Sequence, residues 1–150
     1  MAWREGNEKE CFKTYEAMAK RFEDYNDFET ASYFHNRCLD ISIEFKYIEG
    51  EALAHRGLGI AEEKVFNKYE AMGHLETASE KAKEGQIQSA IKLISNDLVR
   101  VYQLIADENL DKVRSLLTQS APLDAEDEQI KHDSIEMAKK YFSRCLEVSL

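Results

Sequence analysis

Apolar residues recur along this chain at steps of three and four almost throughout, and no long stretch alternates apolar with polar. That spacing gathers apolar side chains on one stripe of a helix, so the pattern predicts helices and no strands. A first helix is predicted over residues 8–23, with Cys11, Phe12, Tyr15, Met18, Ala19 and Phe22 on its inner stripe. Asp24-Tyr25-Asn26-Asp27 makes a short polar turn. There Asp27 is the cap of the next helix, because a carboxylate accepts from the unpaired N–H groups of a first helical turn. The second helix, 28–45, turns Phe28, Ala31, Phe34, Cys38, Leu39 and Ile41 inward. A third, 47–65, carries Gly57-Leu58-Gly59, and a fourth, 68–84, has Ala71, Leu75, Ala78 and Ala82 on one stripe, with Gly85 as its stop. A fifth helix is predicted over 86–108. Residues 109–129 depart from the pattern: a short helix over 110–118, a break at Ser120-Ala121-Pro122, then an acidic loop from Asp124 to Glu128. The last helix runs from 130 to the end.

Two of these helices share a phrase. Ala31-Ser32-Tyr33-Phe34-His35-Asn36-Arg37-Cys38-Leu39 returns as Ala138-Lys139-Lys140-Tyr141-Phe142-Ser143-Arg144-Cys145-Leu146, and Tyr15 to Ala19 parallels Tyr102 to Ala106. Small residues also recur: Ala19 and Gly59 stand 40 apart, as do Ala31 and Ala71. Ala106 and Ala138 stand 32 apart where Ala19 and Ala31 stand 12 apart, so the last pair of helices contains an insertion of 20 residues. A chain that repeats a helix pair reads as a stack of pairs, and such stacks bind other proteins on their long faces. The expected organisation is a single domain of three hairpins, at 8–45, 47–84 and 86–150, with the insertion at about 109–129.

Composition agrees and narrows the partners. With 150 residues, one Pro and six Gly, the chain is long enough for one real core and is nearly free of helix breakers. A net charge of −9 argues against nucleic acid, whose binding needs a clustered basic face. No apolar run of about 18 residues exists to span a membrane, and Met1-Ala2-Trp3-Arg4 does not begin a secretory signal. Cys11, Cys38 and Cys145 are odd in number and far apart, which speaks against a disulfide framework and makes a cytoplasmic setting the default.

The pattern resembles the tetratricopeptide repeat, a helix-turn-helix unit with small residues where helices touch. Ala19, Ala31, Gly59, Ala71, Ala106 and Ala138 take its small contact positions. The 40-residue period is longer than the usual one of about 34 and resembles the long-helix variety of polarity and motor-adaptor scaffolds. The Tyr-Phe-x-Arg-Cys-Leu phrase and the helix from Leu98 to Ala106 are similar to ciliary and flagellar tetratricopeptide proteins. The resemblance implies an all-α, right-handed superhelical stack of about three hairpins. It implies a protein or peptide partner in a groove lined by the first helix of each pair. Those groove positions are Lys13, Glu16, Lys20 and Glu23, then Leu53, Arg56, Ile60 and Glu63, then Arg100, Gln103 and Asp107. It also implies a setting in the cytoplasm or the axoneme of a cilium or flagellum. Members that clamp a C-terminal carboxylate use a Lys, Asn and Arg set; here those places hold Glu16, Lys20, Gly57, Arg100 and Leu104, so a clamp is not expected.

Chemistry is sparse. His35, His55, His74 and His132 are not spaced as metal ligands, and the cysteines fall on apolar stripes as small core residues. Gly57-Leu58-Gly59 lacks the preceding strand and third glycine of a phosphate cradle. Glu62-Glu63 and Asp107-Glu108 read as solvated surface. The expectation is no catalytic residue, no metal and no cofactor; a small helical enzyme is the alternative from another class. The last helix carries an apolar stripe, Met137, Tyr141, Phe142, Cys145 and Leu146, which predicts a covering partner, a homo-oligomer or further chain. A groove filled by the chain's own Met1-Ala2-Trp3 is a further possibility.

Overall fold

The structure is a computed structural model and describes residues 5–149. The described residues form six helices and no strand: α1 (Glu5–Asp24), α2 (Phe28–Glu44), α3 (Ile48–Lys64), α4 (Lys68–Glu84), α5 (Gln88–Thr118) and α6 (Ala125–Ser149). They fall into two compact units, one up to Asp97 and one from Leu98, so that α5 contributes to both. Met1-Ala2-Trp3 lies outside the described residues.

In the first unit the repeat is a half-repeat of 20 residues. Helices α2, α3 and α4 are each 17 residues long and begin at Phe28, Ile48 and Lys68. The connections repeat with them. Asn26, Lys46, Phe66 and Gln86 all have left-handed backbones, with φ of 61°, 55°, 68° and 53°. At each, that residue's N–H donates to the carbonyl three back and the next N–H to the carbonyl five back, as in Asn26 to Glu23 (2.9 Å) and Asp27 to Phe22 (2.8 Å). This pair of bonds closes a helix end by satisfying carbonyls that have no partner within the helix. Helix α4 stops at Glu84 with Gly85 as its C-cap, as expected; Gly85 has an ordinary φ of −82°, and the left-handed residue is the next one, Gln86. Asp27 caps α2 as its residue type predicts, accepting from the Thr30 N–H at 3.1 Å.

Alternating helix directions pack α1 on α2, α2 on α3 and α3 on α4. The small residues lie where the backbones meet: Ala19, Ala31, Gly59 and Ala71 are all buried. A Cβ on Gly59 would stand 2.8 Å from Leu75 Cγ and 3.2 Å from the Ala71 carbonyl oxygen. Around Phe12, Cys38 and Ala54 gather Tyr15, Leu39, Tyr47 and Leu53, with Phe12 edge-on to Tyr47 at 5.4 Å.

In the second unit the extra 20 residues form neither the separate short helix expected over 110–118 nor the acidic loop expected over 124–128. Leu110 to Thr118 continues α5 without a break, and the acidic run is the first turn of α6, capped by Asp124, whose carboxylate accepts from the Asp127 N–H at 2.8 Å. The insertion is absorbed by lengthening both helices of one hairpin, to 31 and 25 residues. The Leu110–Thr118 stretch lacks any helix-stopping glycine or proline, so helix propagates until Ser120-Ala121-Pro122. Ala106 and Ala138 are buried in this hairpin, and Tyr102 faces Tyr141 with ring centroids 5.8 Å apart.

Candidate functional site

A single face of the helix-A positions was expected to carry the function, and the structure sorts its residues into three groups. Lys13, Glu16 and Lys20 on α1 are exposed. Arg100, Gln103 and Asp107 on α5 are exposed in the second unit. Five others are engaged in the fold. Leu53 packs against the Phe12–Cys38–Ala54 cluster. Glu23 Oε1 lies 2.7 Å from His35 Nε2 across the first hairpin. Arg56 Nε donates to Asp97 Oδ2 at 2.6 Å, tying α3 to the start of α5. Ile60 and Glu63 are half-buried on α3. Leu53 and Glu23 were expected as open groove residues; the helices cross closely enough, because of Ala19 and Gly59, to draw these longer side chains into the packing.

The electrostatics of the same region follow from burial. Burial pushes the Cys38 thiol up to about 12, helped by the Glu16 carboxylate, and its Sγ–H donates to the Phe12 carbonyl at 3.6 Å. Tyr47 is raised by burial and by Glu49 and Glu16. Cys145 repeats the Cys38 arrangement in the second unit: its thiol is raised by burial and by Asp107, and it donates to the Val99 carbonyl at 3.6 Å. A thiolate is disfavoured at both sites.

The repeated phrase is now legible as geometry. Arg37 lies over the ring of Tyr15 at 5.8 Å, and Tyr15 stacks on Phe34 at 6.0 Å. Arg144 lies over Tyr102 at 5.8 Å, and Tyr102 faces Tyr141. The counterpart of Tyr141 in the first hairpin is thus Phe34, one residue on from Tyr33. Tyr33 is 59% exposed whereas Tyr141 is 3% exposed, so the shared Tyr-Phe letters do not occupy the same face.

Sequence reasoning missed one pairing. His55 on α3 and His74 on α4 bring their Nδ1 atoms to 3.4 Å, with ring centroids 5.6 Å apart. Their separation of 19 residues equals that of Tyr15 and Phe34, and both stand 40 residues on, so the repeat itself contained the signal. Burial, then His74 and Lys81, hold the His55 imidazole below its ordinary value. Among the described residues no group of three or more His, Cys, Asp or Glu is placed to hold a metal ion. Every buried side-chain nitrogen or oxygen among them has a hydrogen-bond partner, as Ser42 has in the Cys38 carbonyl and Asn109 in that of Ile105.

Two open cavities lie at opposite ends of the first unit. One, of about 220 Å³, is formed by Glu8, Lys9, Ile41, Phe45, Lys46 and Tyr47. The other, of about 230 Å³, lies between the start of α2 and the end of α3, with Phe28, Ala61 and Val65 as its apolar wall and Glu29 and Glu62 beside them. The apolar stripe of α6 is divided. Tyr141 and Cys145 are buried against α5, whereas Phe142 and Leu146 remain exposed. No helix among the described residues is long and apolar enough to cross a membrane. Such a chain belongs to the broad class of all-helical proteins built from consecutive packed helix pairs. Compared with protein-family models, curated proteins and solved structures, it matches none.

Proposed function

We propose that this chain is a non-catalytic protein–protein interaction scaffold, a stack of tetratricopeptide-like hairpins acting in axonemal assembly or as a dynein-associated adaptor. The observation that carries the reading is the 20-residue period of helix, left-handed residue and cap. A helix pair of this kind cannot bury its apolar face alone, so the pairs stack, and their outer helix faces stay open to a partner. The exposed positions that serve this reading are, in the first unit, Lys13, Glu16 and Lys20 of α1 and, separately in the second, Arg100, Gln103 and Asp107 of α5. A polarity- or motor-complex adaptor is a second reading, favoured by the 40-residue hairpin period.

The test is affinity purification of the tagged chain from ciliated cells, beside a variant carrying Lys20→Glu and Arg100→Glu. Arg56 is left intact because it anchors Asp97. Axonemal or dynein partners that co-purify with the native chain and are lost with the variant support the proposal. Partners retained equally by both place the interaction off the groove, and recovery of unrelated adaptor complexes favours the second reading.

A further inference from the structure

Four connections in this chain use the same left-handed backbone, and three of them place there a residue suited to a solvent-exposed turn: Asn26, Lys46 and Gln86. The fourth places a phenylalanine. Phe66 has φ of 68°, a conformation disfavoured for a bulky L side chain, and its ring is 90% exposed. Neither local backbone preference nor burial accounts for it. Strain that persists without a packing reason points to a use in recognition.

The surroundings say what would be recognised. Val65, the neighbour of Phe66, is 46% exposed and also forms part of the wall of the cavity between α2 and α3. That cavity has room for a large aliphatic side chain, and its apolar wall of Phe28, Ala61 and Val65 is flanked by the carboxylates of Glu29 and Glu62. Asn67 Nδ2 donates to Glu62 Oε2 at 2.8 Å and so fixes that carboxylate at the turn. Asp24 and Asp27 stand on the α1–α2 connection at the same end of the antiparallel helices. The cations at this end are Arg21 in the last turn of α1 and Lys64 and Lys68 of the α3–α4 connection, Lys68 over the ring of Tyr69 at 5.6 Å, and the carboxylates of Asp24, Asp27, Glu29 and Glu62 outnumber them.

We propose that this end of the first unit, with Phe66 as anchor and Glu29 and Glu62 at its rim, docks a basic amphipathic segment of a partner protein. An apolar side chain of that segment would enter the cavity beside Val65, cover the Phe66 ring, and bring flanking Lys or Arg residues to the two carboxylates. Charge selects this occupant over the others. A second copy would set the same acidic rim against itself in a chain of net charge −9, and an anionic lipid surface would meet like charge. The inference rests on the scaffold reading but not on its groove.

The experiment uses the intact chain and fluorescein-labelled amphipathic peptides, one of leucine and lysine and one of leucine and glutamate, followed by fluorescence anisotropy. The leucine–lysine peptide is expected to bind, and Phe66→Gly to weaken it by about tenfold or more. Glycine accepts the left-handed backbone, so the variant keeps its turn and its Tm does not fall; lost binding then cannot come from lost fold. Glu29→Gln with Glu62→Gln is expected to weaken binding and flatten its salt dependence. Lys112→Gln, exposed in the second unit and outside both proposed sites, leaves it unchanged, which separates docking at this end from a general loss of charge. Equal binding by native and Phe66→Gly chains overturns the proposal, as does equal binding of the acidic peptide or no binding up to about 1 mM. Self-association of the native chain that Phe66→Gly abolishes would make a second copy the occupant and overturn it as well.

Discussion

Replacing glycines of α3 and α4 one at a time by alanine tests the packing of these helices against an internal standard. Alanine in an exposed helix interior is favoured over glycine by about 1 kcal/mol. At Gly73 no atom lies within 4 Å of the added Cβ, so the whole gain should appear as stability, raising Tm by about 2–4 °C for a chain of this size. At Gly57 the Cβ would enter the His35 ring. That ring is buried and bonded to Glu23 at 2.7 Å, so it cannot swing aside without giving up its partner. Overpacking costs about 1–3 kcal/mol and the strained hydrogen bond about 1 more, against the same gain of about 1. The net is a loss of about 1–3 kcal/mol. Gly59 falls between, because its Cβ would meet Leu75 Cγ at 2.8 Å with Leu75 itself fully buried and unable to retreat. Thermal melts followed by circular dichroism should therefore rank Gly73→Ala above native, native above Gly59→Ala, and Gly57→Ala lowest. Adding His35→Ala to Gly57→Ala should recover part of the loss as a coupling energy. If Gly57→Ala melts as high as Gly73→Ala, the close approach of α2 to α3 at His35 is wrong.

Other consequences are as direct. Lys46→Gly and Gln86→Gly should each stabilise by about 0.5–1 kcal/mol by relieving a left-handed backbone, and Asn26→Gly by less, since asparagine tolerates it; unchanged melts at all three would refute the turn assignment. Because His55 is held below its ordinary value of 6.5, the unfolded chain binds a proton there before the folded one does. Its contribution is therefore whole above pH 6.5 and is lost as pH falls below it; His55→Tyr with His74→Phe, which copies the Tyr15–Phe34 pair, should remove that part of the pH dependence of Tm. Thiol alkylation of the native chain should label the half-buried Cys11 first, and Cys38, pushed up to about 12, only on unfolding, as read by mass spectrometry. Arg56→Ala should cost about 2–3 kcal/mol in chemical denaturation and Asp97→Asn less, because the first leaves a buried carboxylate without its 2.6 Å partner.

Most of the helix plan could be read from the spacing of apolar residues, since each helix of the first unit buries one stripe and ends on a short polar turn. The small residues at Ala19, Ala31, Gly59 and Ala71 were legible for the same reason: backbones that touch leave no other choice. What escaped was of two kinds. The shared turn geometry hid because its left-handed residues are not glycines; Gly85 marks the end of α4, but the left-handed residue there is Gln86. The site residues shifted because sequence spacing assigns a side chain to a face but not its reach. Glu23 spans to His35, and Arg56 to Asp97, distances that depend on how closely the helices cross. The His55–His74 pair was hidden by its chemistry, since histidine spacing reads as metal ligation or its absence and not as the aromatic pair of the repeat.

That pair shows how repetition separates structural from functional residues in this chain. Paired aromatic rings recur in all three hairpins, as Tyr15–Phe34, His55–His74 and Tyr102–Tyr141, and the arginine over tyrosine and the buried thiol recur in the first and third. A feature that returns at the same place in each hairpin answers a need common to every hairpin, which is to pack one helix on the next. The phrase that first distinguishes the sequence is thus explained by packing, and a partner has no reason to read it. Recognition of one partner instead needs features that occur once. Phe66 in a position otherwise held by polar residues is one such departure, and the lengthened third hairpin is another. The histidine pair is of intermediate kind, since it keeps the shape of the repeat while replacing a phenol and a phenyl ring by two imidazoles. A variant that restores the repeat at such a position should hold or gain stability and lose only the function that the departure supplies, which is the opposite of what a damaged core would do.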